Sequence, residues 1–177
     1  MKRIDCRRIS LLPLDHAHLT LLLESRAAME RSLGLTVSNF EVHCDFLPDF
    51  LGEVDVALKD FMIPKVAENP EAYEWFTHWL IIHREENITV GGIGASGLPD
   101  EAGQVMIGYF TDQKYEGRGF ATEAVECVKN WLFKNPDVKA IRADTPTEHF
   151  GSQKVLQKNG FGEVERDGEI VKWILER

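Results

Sequence analysis

The stretch YEGRGFATEAV, from Tyr115 to Val125, carries the strongest structural signal in the chain. Gly117 and Gly119 flank Arg118, and the residues from Phe120 onward place small or apolar side chains at helical spacing. This spacing predicts a helix that begins near Phe120, preceded by a turn almost bare of side chains. The amide hydrogens at the start of the helix are then open to a ligand.

Such a helix start favours an anion. The first amides of a helix lack partners within it, and the aligned peptide dipoles add a partial positive charge. Arg118 supplies a fixed charge that can pair with a phosphate. The turn therefore predicts a diphosphate site, although glycine-rich turns between a strand and a helix are also common without a ligand. It is neither a Walker loop, since GK[ST] is missing, nor the G-x-G-x-x-G fingerprint.

The residues before this turn predict strands and helices in a fixed order. CRRISLLPL predicts a short strand, and residues 15–34 predict one helix capped by Asp15 and ended by Gly34. Residues 35–70, interrupted by prolines, predict one or two short helices. From Tyr73 the runs WFTHWLIIHRE, ITVGGIGASG and QVMIGYFTD predict three strands in a meander.

The residues after the turn complete one domain. The helix from Phe120 is closed by Pro136, and VKAIRADT predicts a further strand. GSQKVLQKNG predicts a helix stopped by Gly160, and the chain ends in a hairpin around Asp167 and Gly168. The whole order predicts a single α+β domain over residues 1–177, with one mixed sheet.

Composition excludes several classes of protein. Apolar residues form 44% of the 177 residues and charged residues 28%, as in soluble globular proteins. A net charge of −9 argues against nucleic-acid binding, which needs a basic face. The N-terminus has no export signal and no apolar run is long enough for a membrane span. Because Cys6, Cys44 and Cys127 are far apart, we expect reduced thiols, no metal site and a cytoplasmic protein.

Four blocks of sequence, in order, resemble the GNAT superfamily of acetyl-CoA-dependent N-acetyltransferases. They are VGGIG, IGYFTD, GRGFATEAV and HFGSQKVLQKNGF, within residues 88–162. The family signature R/Q-x-x-G-x-G/A is matched from the glycines onward, with Glu116 in its first position. The last block is similar to N-x-x-S-x-x-V-L-x-K-x-G-F of the branch that acetylates the N-termini of ribosomal proteins.

The resemblance implies a mostly antiparallel sheet, flanked by helices, that splays between strands 4 and 5 with acetyl-CoA in the wedge. The backbone of Tyr109, Phe110 and Thr111 would pair with the pantetheine arm, and an amide near Gly108 and Tyr109 would face the thioester oxygen. The cofactor-binding residues that it implies are Tyr109, Phe110, Thr111, Glu116, Gly117, Arg118, Gly119, Phe120, Ala121, Thr122, His149 and Ser152.

The resemblance is weaker at the catalytic positions. The tyrosine that often protonates the departing thiolate is Leu156 here, the asparagine is His149, and the carboxylate of strand 4 is Met106. The ribosomal-protein branch carries a serine that matches Ser152, which is the expected catalytic contact to the sulfur, with a helix-capping role as the alternative. Glu101, Glu116, Asp144, His78 and His83 are candidate bases, and the sequence does not choose among them.

The absence of an evident general base limits which amine can be the acceptor. At pH ~7.4 a lysine amine costs about 4 kcal/mol to deprotonate and an α-amine only about 0.5 kcal/mol. A primary amine is therefore expected, either a protein N-terminus or a small molecule. The resemblance allows a homodimer. The alternatives are a CoA-binding sensor or interaction module that has lost turnover, and a nucleotide-binding protein that uses the same turn.

Overall fold

A mixed sheet forms the centre of the protein in a computed structural model that describes residues 2–42 and 50–177. Its eight strands in the described part are β1 (Ile4–Asp5), β2 (Ile9–Pro13), β3 (His78–His83), β4 (Ile88–Ala95), β5 (Gln104–Thr111), β6 (Ala140–Pro146), β7 (Gly162–Arg166) and β8 (Ile170–Glu176). The α-helices there are α1 (His16–Glu24), α2 (Arg26–Ser32), α3 (Phe50–Ala57), α4 (Ile63–Glu68), α5 (Phe120–Leu132) and α6 (Phe150–Lys158).

The strands lie in the order β1-β2-β3-β4-β5-β6-β8-β7. Every neighbouring pair is antiparallel except β5 and β6, which are parallel. The prediction of an α+β domain with a mixed, mostly antiparallel sheet flanked by helices is confirmed. The structure has one short strand, β1, before the predicted first strand, so the numbering shifts by one. Strands 4 and 5 of the prediction are therefore β5 and β6.

The sheet splays between β5 and β6. These strands pair only from Gln104 to Met106, opposite Ala140 to Arg142. Beyond that point β5 continues to Thr111 and β6 to Pro146 without pairing with each other. The expected splay is confirmed, and it leaves an open strand edge in the middle of the sheet.

Each face of the sheet has its own core. On one face, Leu156 of α6 and the apolar side of α5 form a core with Ile81, Val90, Ile107 and other apolar residues. On the other, α1, α2 and α4 cover Leu12, Leu80 and Ile82. Because side chains alternate along a strand, Ile107 and Tyr109 of β5 lie on the α5 face, and Gly108 and Phe110 lie on the α1/α2 face.

The helical region near the N-terminus differs from its prediction. Residues 15–34 form two helices, because Ser25 is extended (φ −164°, ψ 111°) and its hydroxyl accepts the Ala28 amide hydrogen. Asp15 caps α1 as expected. Tyr73–Trp75 form a 3₁₀ turn instead of the start of β3. Within residues 35–70, α3 and α4 run together through a π-helical turn at Leu58–Met62, and positions 43–49 lie outside the described residues.

The expectation that the cysteines are distant thiols is wrong for two of them. The sulfurs of Cys6 and Cys127 are in bonding contact, with their Cα atoms 6.6 Å apart. Cys127 lies in α5, which packs on β2, and Cys6 lies between β1 and β2. Packing of α5 on the sheet thus joins residues 121 positions apart, a proximity that sequence spacing does not show. Cys44 lies outside the described residues.

Candidate functional site

The turn before α5 is built from two glycines in the left-handed region. Gly117 has φ 70° and Gly119, the N-cap of α5, has φ 81°. A side chain is strained at such angles, so glycine is the residue that makes this turn at little cost. A Cβ placed on Gly117 would have no neighbour within 4 Å, so the space above the turn is open. The amides of Phe120, Ala121 and Thr122 begin the 13-residue helix beneath it.

The predicted diphosphate residues lie together at this turn. Glu116, Gly117, Arg118 and Gly119 are exposed and lead directly into α5. The Arg118 guanidinium lies 5.1 Å from the centre of the Tyr115 ring, which holds its charge beside the turn. The structure therefore combines a helix start, an open surface and a cation, which is what an anionic group requires.

A second arginine, which sequence reasoning missed, supports the turn from below. Arg8 donates from its backbone amide and from Nε to the carboxylate of Glu123, at 2.6 and 2.9 Å. Its Nη1 donates to the Arg118 carbonyl at 3.0 Å, and its guanidinium lies 4.7 Å from the centre of the Phe120 ring. Although burial raises the pKa of Glu123, the hydrogen bonds from Arg8 and Ile9 outweigh it and lower the pKa.

The open edge of β5 continues from this turn into the gap. The Asp112 amide donates to the Val90 carbonyl, and the Ser96 amide to the Met106 carbonyl, so the polar groups of even-numbered residues point to β4. Those of Tyr109 and Thr111 point to the gap. The backbone polar groups of Phe110 point to β4. Among the three residues predicted to pair with pantetheine, Tyr109 and Thr111 therefore present their backbone to the gap and Phe110 does not.

Ser152 and Tyr109 meet across the gap. The Tyr109 hydroxyl lies 2.8 Å from Ser152 Oγ and donates to the Ser152 carbonyl at 3.1 Å. Burial raises the pKa of Tyr109 to about 12, so the phenol stays protonated at neutral pH. His149 is the N-cap of α6, where its Nδ1 accepts the Ser152 amide hydrogen at 3.4 Å. The alternative in which Ser152 caps the helix is therefore wrong.

The candidate bases are scattered. His78 is almost fully buried, and burial together with the charge of Arg26 lowers its pKa to about 3. His83 lies beside Phe120 and Glu86, at the diphosphate turn instead of beside Gly108. Glu101, Glu116 and Asp144 are exposed, Leu156 is fully buried and Met106 is exposed. The described residues bring none of these candidates together with Ser152.

The part of the chain that the structure describes holds neither a cluster of metal-binding side chains nor a helix that could span a membrane. Residues 2–42 and 50–177 contain no group of three or more His, Cys, Asp or Glu side chains placed to hold a metal ion. Within the same ranges, every helix is too short or too polar to cross a membrane.

Comparison with known proteins identifies relatives. The chain is 34% identical over 99 residues to the uncharacterized N-acetyltransferase YjdG of Bacillus subtilis, covering 56% of this chain and 59% of that protein. It is 40% identical over 56 residues to the probable N-acetyltransferase YjcK of the same organism, covering 32% of this chain and 31% of YjcK. The chain thus spans less than two thirds of the length of these relatives.

Solved structures share the fold. Ribosomal-protein-S5-alanine acetyltransferase of Vibrio fischeri superposes with a TM-score of 0.66 at 14% identity, over 99% of this chain and 97% of that one. The aminoglycoside acetyltransferase AAC(6')-Ib in complex with coenzyme A gives 0.59 at 17% identity, over 96% and 95%. RimL, a ribosomal L7/L12 α-N-protein acetyltransferase in complex with coenzyme A, gives 0.66 at 14%, over 99% and 98%.

The family model for the acetyltransferase (GNAT) domain matches residues 9–162, which is most of the chain. That range contains the diphosphate turn, the gap between β5 and β6, and the Tyr109–Ser152 pair. The chain therefore belongs to the GNAT acetyltransferase family.

Proposed function

We propose that the protein is an acetyl-CoA-dependent N-acetyltransferase that moves the acetyl group to a primary amine by direct attack in a ternary complex. The observation that carries this proposal is the continuity of two features: the open edge of β5 in the gap and the bare turn before α5. An extended arm can pair with the first while a diphosphate lies on the second. Two structures of the same fold with coenzyme A bound support the choice of ligand.

The diphosphate is proposed to accept hydrogen bonds from the amides of Gly119 to Thr122. The helix dipole and Arg118 add favourable charge in a protein that is acidic overall. Glu116 stands where the family signature has Arg or Gln, so its side chain does not contribute a cation. Arg118 and the backbone therefore carry the binding.

The pantetheine arm is proposed to lie along β5, paired with the backbone of Tyr109 and Thr111. Phe110 contributes its ring on the other face of the sheet. The Tyr109 amide, which faces the gap, is the proposed donor to the thioester oxygen as negative charge develops on it. A donor fixed in a strand needs no reorganisation during the reaction, which is what makes such a contact effective.

The acetyl transfer forms one bond and breaks one. The neutral amine attacks the thioester carbon, so the C–N bond forms and the C–S bond breaks, and the nitrogen loses one proton to solvent or a base. The departing thiolate is stabilised and protonated from solvent. Ser152 is proposed to donate a hydrogen bond to the sulfur, with the Tyr109 phenol turning its one proton from the Ser152 carbonyl to Ser152 Oγ when coenzyme A is bound. His149 is proposed to position Ser152 through the cap of α6.

The acceptor is proposed to be an α-amine of a protein or a small molecule that is easily deprotonated. None of the five candidate bases named from the sequence forms a hydrogen bond with Ser152 among the described residues, and buried His78 is too weak a base at neutral pH. An amine with a pKa near 8 loses its proton without such help. RimL, which is named as an α-N-protein acetyltransferase, supports an α-amine as the acceptor.

The test combines binding and turnover. Calorimetry with coenzyme A, and thiol release from acetyl-CoA with a panel of peptides and small amines, are measured for the wild type and Gly119→Trp. Binding of coenzyme A and amine-dependent release that both disappear in Gly119→Trp support the proposal, while Gly168→Ala, on the distant hairpin, serves as the control. Absence of binding would contradict it. Binding without turnover would favour the alternative of a CoA-binding sensor, which the replacements Met106 and Leu156 suggest.

A further inference from the structure

Four side chains form a cluster on the α1/α2 face of the sheet, which we call the Arg26 cluster. The Arg26 guanidinium lies 4.2 Å from the centre of the Phe40 ring, and Phe40 meets Phe110 edge to face at 5.9 Å. Phe110 stacks on His78 with the ring centres 5.5 Å apart. Arg26 begins α2, His78 begins β3 and Phe110 lies on β5, so three elements converge on this place.

Two polar atoms in this cluster lack partners. Arg26 Nη1 and His78 Nε2 are buried, and neither has a hydrogen bond to any residue that the structure describes. His78 is only 3% exposed. Buried polar atoms without partners are rare because each costs free energy, and two of them in one cluster, with the Arg26 charge acting on His78, point to a missing ligand. A guanidinium donates hydrogen bonds, and a neutral imidazole with its proton on Nε2 donates one as well.

The nearby carboxylates leave the Arg26 charge available. Glu30, Asp55 and Asp112 are close enough to raise the pKa of Arg26 against the lowering effect of burial. None of the three forms an ion pair with Arg26 in the part of the chain that the structure covers. Both oxygens of Glu30 are held by Ser38, at 2.6 and 2.8 Å.

A route connects the cluster with the gap. Gly108 lies two residues from Phe110 on the same face of β5, about 7 Å along the strand. A Cβ on Gly108 would have no neighbour within 4 Å, so the space directly above Gly108 on this face is open. Gly92 lies under the cluster, where a Cβ would collide with the His78 ring and the Phe110 ring, so this position accommodates both rings only as glycine.

We propose that the Arg26 cluster is the acceptor end of the active site and selects primary amines that carry a carboxylate, which Arg26 Nη1 and His78 Nε2 bind. The proposal rests on the function proposed above. The amine of such a molecule reaches past Gly108 to the thioester while its carboxylate lies near Phe110. The carboxylate belongs either to a free amino acid or to the first residues of a peptide.

The experiment compares each acid with its neutral amide. One arm uses the α-amides of aspartate and glutamate against those of asparagine and glutamine, whose amines are α-amines like the proposed acceptor, and the other uses short peptides that begin with Asp or Glu against Asn or Gln. We expect kcat/KM for the acid to exceed that for its amide roughly 10- to 100-fold in at least one arm. Which arm shows the preference decides between a small molecule and a peptide.

Variants assign the preference to the cluster. Arg26→Met is expected to abolish most of the acid-over-amide ratio while lowering kcat/KM for the amide far less. Arg31→Met, on the exposed part of the same helix, removes an equal charge and is expected to keep the ratio. Melting temperature and coenzyme A binding are measured for both variants, which separates loss of the fold from loss of the acceptor site.

Three outcomes would overturn the inference. They are a wild type without preference for the acid, an Arg26→Met variant that loses acid and amide equally, and an Arg31→Met variant that loses the ratio as well. If coenzyme A binds but no amine is acetylated, the α-amide of glutamate is titrated calorimetrically into the protein saturated with coenzyme A. Heat that Arg26→Met removes supports the cluster even though the proposed turnover has failed, and no heat contradicts it.

Discussion

Arg8 donates two hydrogen bonds to the carboxylate of Glu123, one from its amide and one from Nε, across 115 positions of sequence. Glu123 lies in the first turn of α5, where a carboxylate would repel the diphosphate proposed to bind there. Because Arg8 neutralises it and also binds the Arg118 carbonyl, the N-terminal segment stabilises the diphosphate turn.

Replacing Arg8 with Met should therefore weaken coenzyme A binding and the fold together. Glu123 is 8% exposed, so the variant removes the Nε hydrogen bond and the neutralising charge from a mostly buried carboxylate that keeps its two backbone donors, which we expect to cost about 1–3 kcal/mol in the free energy of unfolding. KM for acetyl-CoA should rise. Urea unfolding and calorimetry with coenzyme A measure the two effects.

Arg7→Met is the matched control, since Arg7 is exposed and adjacent in sequence. The double variant Arg8→Met/Glu123→Gln should recover part of the lost stability, because a neutral amide tolerates burial better than a carboxylate without a countercharge. If the losses of unfolding free energy in Arg8→Met and Glu123→Gln simply add in the double variant, the pairing of Arg8 with Glu123 is contradicted.

Gly117 makes a second prediction possible at the same turn. Because Gly117 has φ 70°, Gly117→Ala should cost about 1 kcal/mol in the free energy of unfolding. It should also lower the affinity for coenzyme A, because the new Cβ projects into the open space above the turn. Gly168→Ala is the control, since a Cβ there also meets nothing within 4 Å and φ is not in the left-handed region. Equal coenzyme A affinity in Gly117→Ala and the wild type would place the diphosphate elsewhere.

The Tyr109–Ser152 pair predicts a defect in the chemical step. Ser152→Ala should lower kcat about 10- to 100-fold with little change in coenzyme A binding, because a hydrogen bond to the developing thiolate is lost. Tyr109→Phe should show a smaller loss, and Ser152→Thr should retain most activity since it keeps the hydroxyl. Steady-state kinetics with acetyl-CoA measure kcat and KM separately.

A purely structural role for this pair makes a different prediction. In that case the defect would not depend on the leaving group. We expect kcat/KM of Ser152→Ala to fall more for a short alkyl thioester of acetate than for an aryl thioester, whose thiolate needs less stabilisation. An equal fall for both thioesters would show that Ser152 only positions the surrounding residues.

The local elements were predictable because each depends on a short pattern. The alternation in QVMIGYFT gives β5, and the small residues before Phe120 give the turn and α5. Even the break in the first helix had a signal, since Ser25 is a favourable N-cap residue three positions before Ala28. That signal was masked by helical periodicity continuing on both sides of it.

Long-range pairs were not predictable from such patterns. Arg8 and Glu123 are joined only because α5 packs against β2, and Tyr109 and Ser152 meet only because β5 and α6 border the same gap. Periodicity describes which face a residue occupies but not which distant residue it meets. One clue was present, since an acidic residue in the first turn of an anion-binding helix requires a compensating cation.

The last prediction concerns how the free energy of unfolding depends on pH through His78. Its pKa is about 3 in the folded protein, lowered by burial and by Arg26, and near 6.5 in the unfolded chain. Between these values the unfolded state binds one more proton than the folded state, so stability rises with pH and is lost as the pH falls below about 6.5. The free energy of unfolding changes by at most about 1.4 kcal/mol per pH unit from this one group.

His78→Gln cannot be protonated, so the difference in unfolding free energy between it and the wild type should shrink or reverse from pH 7 to pH 5. Urea unfolding of both proteins at each pH measures this, and a difference that stays constant would show that His78 titrates normally in the fold.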